Sequence, residues 1–301
     1  MIALEGLGKT YRSPLRRRAV AALDGVTLAV PDGEVLGIAG PNGAGKSTLI
    51  SLLLGFLDPT AGRVTIDGQA PRAWVRRRGV GYLPELIALP GRWRAADALA
   101  RAAVLSRVPP GDRARRVAAC IERLGLEEHA GKQVRQLSKG TLQRLGLAQA
   151  LLADHALVIL DEPTHGLDPL WTQRFRDVVR EERRPGRVIV VASHNLDELE
   201  RVADRVAILH RGRLERLAAP GTGPTGGWYR LRLAAPHPAL AAAFPAAEAV
   251  GGSAAEVRIH GEPAALSAGL RALLEAGAVV EAWYPERSRL EAAFREVVGE
   301  R

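Results

Sequence analysis

Residues 137–169 read LSKGTLQRLGLAQALLADHALVILDEPTHGLDP. Ser138-x-Gly140 makes a turn, and the helix that starts there carries Gln143 and Arg144. Leu157–Leu160 is a short, wholly apolar run, the pattern of a strand covered on both faces. It ends on two carboxylates, Asp161 and Glu162, and Gly166-Leu167-Asp168 turns the chain again. Paired acids at a strand end suit a hard divalent cation and the polarisation of a water. The plainer reading is that they cap the next helix through Pro163. What lies upstream favours the chemistry.

There, Gly40-Pro41-Asn42-Gly43-Ala44-Gly45-Lys46-Ser47-Thr48 fills the pattern G-x-x-x-x-G-K-[ST]. The apolar Val35–Ala39 precedes it and helical periodicity over Lys46–Leu54 follows, so its context is strand, loop, helix. Gly40, Gly43 and Gly45 let the backbone N–H groups turn inward toward phosphate oxygens, and the helix adds the positive end of its dipole. Lys46 supplies a point charge for β- and γ-phosphates, and the Ser47 hydroxyl suits Mg²⁺. Asp161 is expected to serve the same Mg²⁺ from its outer coordination sphere or through water.

Bulk properties narrow the class. The chain has 301 residues, 47% of them hydrophobic, enough for one large domain and a smaller one. No apolar run reaches the ~18 residues of a membrane helix, and the N-terminus lacks a secretory layout. A single cysteine, Cys120, excludes an internal disulfide and suits a reducing interior. The net charge of +9 favours anionic partners, although arginine-rich composition accounts for it equally well. Arg16–Arg18 and Arg76–Arg78 are local basic clusters without interleaved aromatics, which argues against base stacking.

Residues 2–35 alternate as antiparallel strands, with a Pro- and Arg-rich loop at Ser13–Arg18. From Trp93 to Ala153 the pattern is helical. Val188–Ala192 and Val206–Leu209 read as further strands, with helices at Trp171–Arg183 and Leu196–Ala203 between the strands. Alternation of this kind predicts an α/β fold with a mostly parallel sheet. Residues 220–227 read as a linker. The expected domains are therefore 1–219, with a helical subdomain over about 86–153, and a small α+β accessory domain over 228–301. In the latter, strands are expected at Tyr229–Leu233, Val257–Ile259 and Val279–Trp283, with helices at Pro263–Ala276 and Ser288–Val298.

Taken in order, the glycine loop, Leu137–Thr141, Leu157–Glu162 and His165–Asp168 resemble the Walker A, signature, Walker B and D-loop of an ABC transporter's ATP-binding subunit. The resemblance covers roughly residues 2–215. It implies a P-loop NTPase fold with an antiparallel β subdomain and a helical insert. It also implies ATP and Mg²⁺ as cofactors, an integral membrane partner, and residence at the cytoplasmic face of the membrane. By resemblance, Glu162 orients the attacking water, His194 in Ser193-His194-Asn195 is the switch histidine, and Tyr11 stacks on adenine. Glu85 takes the Q-loop position, where glutamine is usual, and joins Ser47 and Asp161 as a metal ligand.

Ser138 and Gly140 keep the signature's γ-phosphate role while Lys139 and Thr141 depart from the common LSGGQ form, and Asp168 matches the D-loop. One glycine loop and one signature per chain imply a homodimer with two composite sites. Leu-Ser-Lys-Gly and Tyr82-Leu83-Pro84-Glu85 resemble ATPases that serve ABC-2-type exporters, as does the ending Arg289–Phe294. The segment Glu85–Arg94 and the helices to Gln136 are then the contact surface for the membrane subunit, with Leu86, Ile87, Leu89 and Trp93 as apolar anchors, although Trp93 suits a place in the core at least as well. An ABC ATPase acting on nucleic acid or ribosomes is the alternative, supported by charge alone, and a non-hydrolysing ATP-gated regulator is a third class. No catalytic constellation is expected in the tail.

Overall fold

The computed structural model describes residues 2–12, 19–219, 227–286 and 289–299. The Ser13–Arg18 loop and the 220–226 part of the linker lie outside the described residues. The chain forms two compact units divided at residue 220.

Ile2–Arg12 (β1) and Ala19–Val30 (β2) pair antiparallel, Ile2 opposite Val30. Val35–Ala39 (β3) follows, every residue buried, and leads into Lys46–Leu53 (α1). Ala61–Ile66 (β4) pairs antiparallel with β1 and completes a three-stranded sheet in the order β2-β1-β4. Pro71–Arg78 (α2) starts on proline, whose fixed φ suits a first helical position. Trp74 on α2 is fully buried, and its indole N–H donates to Asp67 Oδ2 at 2.9 Å.

Gly81–Leu83 (β5) opens the helical insert of Ala95–Leu105 (α3), Arg113–Arg123 (α4) and Lys139–Leu151 (α5). The expected run of helix is broken between α3 and α4 by Pro109 and Pro110, which cannot continue a helix from the preceding turn. No residue of α4 is fully buried. Val117 and Cys120 pack on a small cluster of Ala102, Ala103, Val108, Leu152 and Ala153.

The chain then alternates through Leu157–Asp161 (β6), Pro169–Glu182 (α6), Val188–Ala192 (β7), Leu196–Val202 (α7), Arg205–His210 (β8) and Arg213–Ala218 (β9). The second sheet has the order β5-β6-β7-β3-β8-β9, parallel except for β9, which runs antiparallel on the edge. This is the α/β P-loop architecture that the sequence predicts. The register matters for function: Leu83 lies opposite Leu160, and Asp161 and Ile38 both lie opposite Ala192. Four adjacent strands therefore end at one level on one edge, where parallel sheets present their ligand sites.

The second unit comprises Gly227–Leu233 (β10), Leu240–Ala243 (α8), Glu248–Val250 (β11), Ser253–Gly261 (β12), Pro263–Glu275 (α9), Val280–Pro285 (β13) and Arg289–Val298 (α10). Its sheet order, β11-β12-β10-β13, is the split βαβ arrangement. Leu231, Val257, Ile259, Leu266 and Leu273 form its core. Periodicity alone does not find β4, β5, β9 or β11. These are short or charged, and pairing with longer neighbours holds them.

Candidate active site

The glycine loop joins β3 to α1. Gly43 and Gly45 sit at φ +80° and +108°, conformations that side-chain-bearing residues rarely adopt. A Cβ on Gly45 would stand 2.5 Å from the Ala22 carbonyl oxygen, so the loop fits under β2 only with glycine there. The buried Lys46 ammonium folds over the loop and donates to the Gly40 carbonyl at 2.7 Å. Ser47 is exposed beside it.

The end of β6 carries the two carboxylates. Asp161 is almost fully buried. Burial first, then the charges of Glu162 and Glu85, push its carboxyl up to about 6 against the pull of Lys46. Glu162 leaves the strand at φ +48°, an uncommon value for a residue with a side chain. Its backbone N–H donates to Ala192 O at 2.8 Å, and Gln143 Nε2 donates to its carbonyl at 3.1 Å. Its side chain accepts from the His194 backbone N–H at 3.0 Å and the Ser193 hydroxyl at 3.2 Å. His194 Nδ1 lies 2.8 Å from Oε2. The carboxylate is thus fixed from three sides, while the His194 ring that contacts it is 68% exposed.

These groups share one cleft of about 600 Å³. Asn42, Gly43, Ala44, Gly45, Lys46, Ser47, Thr48, Glu85, Asp161, Glu162 and His194 line it, together with Ala22 and His165. Gly40 does not line the cleft but holds Lys46 through its carbonyl. Tyr11 stands at the edge, its hydroxyl 3.5 Å from Thr48 Oγ1. Ser138, Gly140 and Asp168 do not line the cleft of their own chain. Ser138 caps α5 by accepting from Thr141 N–H at 3.2 Å, and Asp168 caps α6 by accepting from Trp171 N–H at 2.9 Å. Gly140 packs so closely on the Gly166 carbonyl that a Cβ there would come within 2.8 Å.

Sequence reasoning assigned nothing in the cleft to three residues. Ala22 and Ser193 carry no local signal. His165 stands in the Gly-Leu-Asp turn, and its Nε2 lies 2.7 Å from Lys139 Nζ. Through that contact the Lys139 ammonium reaches across to the turn after β6.

The donor set fits Mg²⁺ bound with a nucleotide. Ser47, Asp161 and Glu85 offer only hard oxygens, and the Asp161 carboxyl is pushed up by burial and by the charges of Glu162 and Glu85, which a cation would offset. Among the described residues no group of three His, Cys, Asp or Glu side chains forms a metal cage, so phosphate oxygens would have to complete the shell.

Residues 23–165 match the ABC transporter family. An uncharacterized ABC transporter ATP-binding protein of Nostoc is 37% identical over 246 residues, covering 77% of this chain and 73% of that protein. The chain belongs to the ATP-binding subunits of ABC transporters. The methionine import ATP-binding protein MetN of Thermobifida fusca is 37% identical, with 70% of this chain and 68% of that protein covered. The lantibiotic transport ATP-binding protein SrtF of Streptococcus pyogenes is 32% identical over 71% of this chain and 89% of that protein. A dimeric ATP-binding cassette solved in a post-hydrolysis state with ADP and Pi superposes with a TM-score of 0.65 at 26% identity. It covers 74% of this chain and 100% of that one. The family is one of ATPases that bind ATP and ADP, and this chain is such an ATPase. Among its described residues no helix is long and apolar enough to cross a membrane.

Proposed function

We propose that the cassette hydrolyses ATP with Mg²⁺ in this cleft and thereby drives export through a separate membrane subunit. One observation carries the catalytic reading: four neighbouring strand ends deliver the glycine loop, Asp161–Glu162, His194 and Glu85 to a single cleft. The loop N–H groups and Lys46 would hold the phosphates, with Tyr11 against the base. Ser47, Asp161 and Glu85 would hold Mg²⁺, which supplies charge neutralisation at the β- and γ-oxygens. Glu162, pinned by Ser193 and the His194 backbone, orients the attacking water and accepts its proton. His194 and Lys46 stabilise the charge that develops on the γ-phosphate.

Within one chain, Ser138 and Gly140 have no nucleotide to face. We infer that they close over the glycine loop of a second copy, with Asp168 at the crossing, giving a homodimer with two composite sites. The dimeric form of the ADP- and Pi-bound relative supports this reading. Binding of ATP then favours closure and hydrolysis permits opening. The exposed Leu86 next to Glu85 is the apolar contact offered to the membrane partner, at the membrane's cytoplasmic face. Export rests on Leu137–Gly140 and Tyr82–Glu85. Relatives named for methionine import make direction a property to be measured with the partner present. The second unit would modulate turnover or dimer stability.

The test is a tagged pull-down from detergent-solubilised cells, with half the sample nuclease-treated. A polytopic membrane protein recovered from both halves is the expected result. Nuclease-sensitive RNA or DNA partners without a membrane protein would overturn it in favour of a nucleic-acid-directed ABC ATPase.

A further inference from the structure

A second cavity, of about 590 Å³, lies well away from the residues that line the nucleotide cleft. Its walls are the end of α2 with Gly79 and Val80, the α3–α4 connection, α4 at Arg116, and the turn ahead of β6. Four arginines line it: Arg76, Arg78, Arg107 and Arg116. The carboxylate on its wall, Asp154, is already engaged by Arg184 and, at 2.6 Å, by Arg187. His155 adds no acid, and burial pushes its imidazole below the usual range, toward the neutral form.

One detail marks a built site. Arg116 Nε is shielded from solvent and has no hydrogen-bond partner among the described residues. A buried donor left in that condition is rare in a folded protein. Arg107, at φ +58°, is the left-handed residue that ends α3. Its N–H donates to Val104 O at 3.0 Å, and Arg113 Nε donates to Val108 O at 2.9 Å. The helix end therefore presents Arg107 beside the other three cations of the cavity. Guanidinium forks match pairs of phosphate oxygens, and four of them around one cavity whose lining acid is already paired favour an anion there.

We propose that this cavity binds a phosphate-bearing anion, held by Arg76, Arg78, Arg107 and Arg116. The ligand bridges the α3–α4 turn of the helical insert to α2 and the start of β5. Since β5 ends two residues before Glu85, occupancy ties the insert to the strand that delivers Glu85 to the cleft. The proposal is independent of the transport reading.

Pyrophosphate also suits the glycine loop, so titration calorimetry uses the full-length Lys46→Ala protein. One site per chain is expected there. Adding Arg107→Gln and Arg116→Gln should weaken it at least about tenfold, the scale of a lost charge-assisted pair. Arg76→Gln with Arg78→Gln, both exposed in the last turn of α2, gives the same reading should the first pair fail to fold. A lipid headgroup offers the same chemistry, so the proteins are also floated with phosphatidic acid and with phosphatidylcholine vesicles. Pyrophosphate binding that the arginine variants lose supports a free anion. Flotation with phosphatidic acid alone, lost in the same variants, assigns the site to a headgroup. Binding that ignores the arginines, or no binding of either probe, overturns the proposal.

Discussion

At the scale of single residues, the cleft depends on two carboxylates doing different work. Glu162 is immobilised by Ser193 and His194, so removing its charge should leave ATP binding intact and slow turnover. Glu162→Gln is expected to lower kcat by ~10²-fold or more, the contribution of a positioned base, measured as phosphate release. Unchanged release would remove Glu162 from the mechanism. Asp161 has a carboxyl pushed up to about 6 by burial and like charge. It must be ionised to hold Mg²⁺, so Mg²⁺-nucleotide affinity should fall as pH drops through about 6. Calorimetry at pH 5 and 7.5 reads this, and in Asp161→Asn that pH dependence should vanish. The linked stability runs the other way in the metal-free protein. A carboxyl whose pKa rises on folding favours the folded state below 3.8, and that contribution is lost as pH rises through about 6.

At the scale of elements, the turn from β3 into α1 works because Gly45 takes φ +108° beneath the Ala22 carbonyl. Gly45→Ala combines a strained backbone with a clash against main chain. Its expected cost is ~2 kcal/mol or more in urea unfolding, with loss of nucleotide binding. A variant of native stability and affinity would mean the loop is more adaptable than its geometry implies. Helices α6 and α7 are joined by Arg176 and the almost fully buried Glu198. Arg176→Met strands that carboxylate and should cost ~3–5 kcal/mol. A double variant, Arg176→Met with Glu198→Leu, should recover much of it.

For the whole molecule, every residue of the cleft belongs to the first unit, which ends at residue 220. A chain cut after residue 219 should therefore still bind Mg²⁺-nucleotide, read by calorimetry, whatever it loses in turnover. Loss of binding with retained fold would give the second unit a direct part in the site. The two units also have separate cores. Differential scanning calorimetry of the full chain should resolve two transitions, with ATP raising the Tm of only one.

The chemistry was legible in the sequence because it is local. A glycine loop needs glycines at fixed spacing, and a strand buried on both faces needs an unbroken apolar run. Two acids following such a run are visible without coordinates. So were the parallel sheet, from alternating periodicities, and the helical character of the insert. What the tertiary structure decided depends on contacts distant in sequence. Strand order β5-β6-β7-β3 sets which strand ends are neighbours, and only that order brings Glu85, Glu162, His194 and Lys46 to one cleft. The left-handed turn at Glu162, the hydroxyl of Ser193 beneath it and the reach of Lys139 to His165 follow from packing around that edge. The four-arginine cavity has the same origin, since Arg76 and Arg116 share it only after the insert folds back on α2. Short-range sterics and periodicity write the elements into the chain, while crossover connections and burial choose their neighbours.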